Sequence, residues 1–71
     1  MGETKREKFK RLASQRTQAI LDKLRVLGNC ANNYNYEYDE SDVRQIFRAI
    51  EEEVKKVKIM FTANKEKKFS L

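Results

Sequence analysis

The chain has 71 residues, 38% charged and 39% apolar, and its 16 Lys and Arg against 11 Asp and Glu give a formal net charge of +5. That length holds one small domain and excludes a multidomain enzyme. Histidine is absent and cysteine occurs once, at Cys30, so a structural zinc site, a disulfide framework and Cys-His nucleophilic catalysis lack their parts within one chain.

Met1-Gly2 has the opening of an N-myristoylation signal, but Arg6 stands where that signal requires Ser or Thr, and no lipid anchor is expected. No apolar run approaches the roughly 18 residues of a membrane span, and the N-terminal residues are charged rather than a hydrophobic signal core. The expected location is the cytoplasm, with no membrane span.

Thr4-Lys5-Arg6-Glu7 has the form of a capping box, in which the Thr4 hydroxyl accepts from an orphan amide and Glu7 reaches back to the cap. It predicts a helix over residues 5–27. Phe9, Leu12, Ala13, Ile20, Leu24 and Leu27 fall within one broad arc at about 100° per residue, and Gly28 reads as the stop. Residues 28–39 are predicted to be a loop rich in Asn and Tyr. Asparagine tolerates left-handed backbone and bonds its own chain, while Tyr34, Tyr36 and Tyr38 alternate as in an extended segment. A second helix is predicted over residues 40–64, starting where Asp39 or Ser41 can accept amide hydrogen bonds. Val43, Phe47, Ile50, Val54, Val57 and Phe61 recur at spacings of four and three, the signature of a helix-packing seam. Residues 65–71 form a short basic tail expected to fray.

The predicted fold class is all-α: an antiparallel two-helix hairpin. Folding the helices back to back sets Leu27 beside Val43, Ile20 beside Ile50 and Phe9 beside Phe61 or Met60. The same register places Arg16 beside Glu53 or Val54, so Arg16 and Glu53 are candidates for a seam ion pair that fixes register; alternatively both snorkel outward from the seam edge. A hairpin of this size, with neither disulfide nor metal, is marginal alone, and apolar Ala19, Leu21 and Val26 widen the surface. Pairing into a homodimeric four-helix bundle is therefore expected.

Charge is segregated along the chain: residues 1–11 carry +3, residues 12–53 carry −3 and residues 54–71 carry +5. In a hairpin, Lys5, Arg6, Lys8, Lys10 and Arg11 meet Lys55, Lys58, Lys65, Lys67 and Lys68 at one pole, with Glu37, Asp39, Glu40 and Asp42 at the other. Such a basic end displaces counterions from nucleic acid and binds it without reading sequence. An acidic protein or an anionic membrane surface offers the same complement, and lysines near a helix C-terminus also serve solubility and the helix dipole. Asn32, Asn33, Tyr34, Asn35, Tyr36 and Tyr38 form a candidate partner-binding loop. Lying at the acidic pole, it suits a protein more than nucleic acid, and the competing reading is that the tyrosines cap the open end of the core.

Glu51, Glu52 and Glu53 cannot point the same way on a helix, and Glu51 with Lys55 makes an i,i+4 surface pair. Cys30 has no basic neighbour in sequence to activate it. No cofactor, metal or catalytic residue is expected. Arg11-Leu12-Ala13, Leu27-Gly28-Asn29, Asn35-Tyr36-Glu37-Tyr38 and Ile46-Phe47-Arg48-Ala49-Ile50-Glu51 together resemble small uncharacterised helical proteins encoded by bacterial plasmids, integrative elements and prophages. The resemblance covers residues 8–61 and implies a mobile-element accessory protein, without bringing site residues. Together these features point to a non-enzymatic binding protein that associates with nucleic acid; a protein-interaction module or regulator, using the tyrosine loop or outer helix face, is the alternative.

Overall fold

The computed structural model describes residues 2–69, with side chains described for residues 2–63. Among these residues the chain is helical without strands: α1 spans Lys5–Gly28, a 3-10 turn spans Asn29–Ala31, and α2 spans Glu40–Phe69. The chain divides into two units, Met1–Glu37 and Tyr38–Leu71.

In the first unit, Thr4 is extended at φ −71° and ψ 164°, the geometry of an N-cap. Its hydroxyl oxygen accepts from the Glu7 N–H at 3.0 Å, and its own N–H donates to Glu7 Oε1 at 2.9 Å. Two amides that the first turn leaves without carbonyl partners are thereby satisfied. At the other end the helix runs through Gly28, one residue beyond the predicted end at 27. Gly28 is right-handed, at φ −58° and ψ −25°, and no described residue has positive φ. The helix closes by tightening into the 3-10 turn, with the Asn29 N–H donating to the Val26 carbonyl, so glycine's left-handed freedom is not used. A Cβ at Gly28 would meet nothing within 4 Å. Gly28→Ala is therefore expected to stabilise the fold by about 0.4–1 kcal/mol through a less flexible unfolded chain, read as a higher thermal midpoint.

The predicted loop also departs from its expected form. Asn32 takes its side-chain oxygen to the Tyr34 N–H at 2.9 Å, while its carbonyl accepts from Asn35 at 3.2 Å and from Tyr36 at 3.0 Å. Three bonds to one residue fold this stretch into a turn, overriding the alternation that suggested an extended tyrosine row. Asparagine acts here through its amide oxygen and backbone carbonyl rather than through left-handed backbone.

In the second unit, Asp39 and Asp42 cap α2 reciprocally. Asp42 N–H donates to Asp39 Oδ1 at 2.9 Å, and Asp39 N–H donates to Asp42 Oδ2 at 3.1 Å. Of the two predicted caps, Asp39 therefore serves, and its carbonyl receives the Val43 N–H at 3.3 Å. Carboxylates at this end also favour the positive pole of the helix dipole. The helix continues five residues beyond the predicted end at 64, through Phe69. Asn64 alone does not stop it, because residues 65–69 contain neither glycine nor proline and are mostly good helix formers. Ser70 and Leu71 of the expected tail lie outside the described residues.

Neither stripe is sequestered. Leu12, Ala13 and Leu27 on α1 and Val43 and Ile50 on α2 are half-buried, and no described residue is fully buried. Ile20 remains 60% exposed and Met60 61%. A helix cannot cover its own apolar face, and among the described residues nothing within either unit shields these stripes.

Candidate nucleic-acid interface

The predicted cations of α1 divide by what their neighbours do. Arg11 is held by Glu3 in a bidentate pair, with Nε to Oε2 and Nη2 to Oε1 both at 2.8 Å. This geometry raises the Arg11 pKa and holds the Glu3 carboxyl below its usual 4.5. Glu7 is likewise held below 4.5, first by the Thr4 backbone N–H and then by the Thr4 side chain. Lys5, Arg6, Lys8 and Lys10 are exposed and form no ion pair within α1. The structure thus brings these four together on the first two turns and withdraws Arg11 from the set.

Both carboxyl shifts are downward, so each group stabilises the first turn fully above about 4.5, and that contribution is lost as pH falls through the depressed folded values. Helicity is expected to decline in acid below that point when followed by circular dichroism. Glu7→Gln is expected to flatten the Glu7 part of the decline.

Farther along α1, Asp22 Oδ1 accepts from Gln18 at 3.0 Å and from Arg25 at 3.3 Å. Arg16 and Lys23 are exposed and, like the N-terminal four, unpaired within the helix. Lys23 escaped the sequence reading because charge was summed by segment, and its segment is acidic overall. Projection at about 100° per residue reveals it on the same side as Lys5.

On α2, Lys55 and Lys58 are exposed, and Lys56 lies 3.9 Å from Glu53. The other surface pairs are Arg44 with Glu40 at 3.8 Å and Arg48 with Glu52 at 4.0 Å. Among the described residues Glu51 and Lys55 do not form the predicted pair; exposed ion pairs hold two long side chains for little gain, and small rotamer preferences decide between them. The side chains of Lys65, Lys67 and Lys68 lie outside those described. Glu53, the candidate partner of Arg16, meets Lys56 of its own helix.

In the turn, Asn33 and Asn35 are exposed, Tyr36 is 53% exposed, and Tyr34 is 100% exposed. Cys30 is a free, exposed thiol on the 3-10 turn. Among the described residues there is no cluster of acidic or cysteine side chains able to hold a metal ion, and no helix is long and apolar enough to cross a membrane. Comparison with known proteins adds no relative: no known family, curated protein or solved structure matches the chain.

Proposed function

We propose that this protein is a non-catalytic cytoplasmic factor that associates with nucleic acid without reading sequence, as an accessory protein of a bacterial mobile element. One observation carries the reading. Lys5, Arg6, Lys8 and Lys10 stand exposed and unpaired within α1, while Glu3 and Glu7 are already engaged by Arg11 and by the Thr4 cap. Uncompensated cations of this kind release counterions from phosphates, the main source of non-specific affinity.

In the same proposal the helices fold back as an antiparallel hairpin and pair into a homodimeric four-helix bundle, covering the apolar stripes. The hairpin brings Lys55, Lys58, Lys65, Lys67 and Lys68 to the pole that holds the α1 cations. Arg16 then lies at the margin of the seam, where its long side chain snorkels outward while Glu53 meets Lys56 of its own helix. Fluorescence anisotropy with labelled DNA and RNA at low salt tests the binding, with poly-glutamate and anionic vesicles as competitors. Salt-sensitive binding that either competitor displaces as readily as unlabelled DNA would overturn the assignment to nucleic acid.

A further inference from the structure

We infer that the nucleic acid held by this protein is single-stranded, its backbone tracked by Lys5, Lys8, Arg16 and Lys23 along α1 and one of its bases stacked on Tyr34. The inference rests on the nucleic-acid reading above and adds the strand class and the contacts that select it. All five residues belong to the same unit.

The four cations fall within about 80° of arc around the α1 axis and extend over about 27 Å along it. Each is exposed and unpaired within the helix. Arg11 and Arg25, which project about 60° and 100° beyond the Lys8 edge of this arc, are the two neutralised by Glu3 and Asp22. Of the cations left unpaired within α1, Arg6 and Lys10 project on the other margin near the capped end, and only Lys5, Lys8, Arg16 and Lys23 continue as a row from the capped end toward the turn. A single row follows one phosphate strand; a duplex groove presents two.

At the far end of the row the chemistry changes. From Gly28 through Tyr36 the sequence carries no charge. Within it the Tyr34 ring is fully exposed, and its backbone is fixed by the Asn32 side chain at 2.9 Å. A ring open on both faces and mounted on a pinned turn is a stacking platform, the element that sequence-tolerant single-strand binders combine with a basic track. Paired bases hide their faces in the duplex, so this ring can stack only on an unpaired one. A protein pocket for Tyr34 would leave the cation row leading to it without a role, which favours nucleic acid.

The test measures binding of the intact chain to a labelled oligo-dT of about 15 nucleotides and to a duplex of the same length, at low salt. Tyr34→Ala is expected to weaken oligo-dT binding about tenfold, with duplex binding changed less than about twofold, while Tyr34→Phe keeps the ring and the affinity. Lys23→Glu is expected to weaken oligo-dT binding and to reduce its salt slope by about one. If the protein binds both probes but Tyr34→Ala leaves oligo-dT affinity unchanged, the single-strand inference is overturned while the nucleic-acid reading stands, and the turn is left to a protein partner. Equal or tighter binding of the duplex has the same meaning. Binding to neither probe removes both.

Discussion

Reversing Lys5, Arg6, Lys8 and Lys10 to Glu is expected to reduce nucleic-acid affinity by roughly 25-fold at about 0.1 M salt. The size follows from counterion release. Each phosphate contact with a single strand contributes about 0.7 to the slope of log affinity against log salt, so losing the two contacts of Lys5 and Lys8 on the proposed track removes about 1.4 from it. Extrapolated from about 1 M, where the counterion contribution vanishes, to about 0.1 M, that slope difference is about 1.4 orders of magnitude. The fold should survive the change, because glutamates in the first turns of a helix interact favourably with its dipole and the Thr4–Glu7 box is untouched. Circular dichroism on the variant checks this directly. Arg11 provides an internal comparison: it is already neutralised by Glu3, so replacing both by Gln leaves the net charge unchanged and should alter affinity far less. Anisotropy titrations across a salt series read both effects. An affinity within about twofold of the parent, with an unchanged slope, would show that the N-terminal cations do not contact phosphate.

The two margins of the helix sharpen this expectation. Lys5 and Lys8 lie on the track proposed for a single strand, whereas Arg6 and Lys10 project on the other side of the apolar arc, by the rotation of about 100° per residue. Paired reversals should therefore separate them, with Lys5 and Lys8 costing more affinity for oligo-dT. Equal losses from the two pairs would point to a diffuse basic pole without a track.

What the sequence made legible was local. The Thr4–Glu7 box and the Asp39 cap depend on residues three positions apart, so their chemistry can be read without knowing what lies elsewhere. Both helices and the Gly28 boundary were likewise visible from periodicity and helix-former content. The Asn/Tyr segment was less so, because alternation and side-chain capping compete over the same few residues, and three hydrogen bonds to Asn32 decide in favour of the turn. Pairing among charges was less legible still. That Arg11 is committed to Glu3, eight positions away, depends on where the chain before the helix turns back, which no spacing rule supplies. Lys23 shows the complementary failure, where a correct count by segment hid a cation that helical rotation sets on the same face as Lys5.

The second large effect concerns the apolar stripe of α2. Ile50→Asp is expected to abolish the proposed dimer and most helical structure at micromolar concentration, seen as loss of the faster-sedimenting species in analytical ultracentrifugation and of the helical dichroism signal. Ile50 is half-buried on a stripe whose Phe47, Val54 and Val57 neighbours are exposed, so its environment becomes apolar only when a partner covers it. A carboxylate there must either remain charged against hydrocarbon or keep that face in water, at a cost of about 2–4 kcal/mol including the lost isoleucine burial. Small domains have only about 0.05–0.15 kcal/mol of stability per residue, or about 4–11 kcal/mol for a chain of 71 residues, so a loss of that size takes a large share of it and falls on both copies of the proposed dimer. Glu52→Ala, on the exposed face beside Arg48, removes a pair at 4.0 Å and should change stability by less than about 0.5 kcal/mol. If the two variants behave alike, the stripe is not a seam and the hairpin dimer fails. If Ile50→Asp alone dissociates and melts, helix formation and association are one equilibrium, and nucleic-acid affinity should then depend on protein concentration as the basic poles assemble.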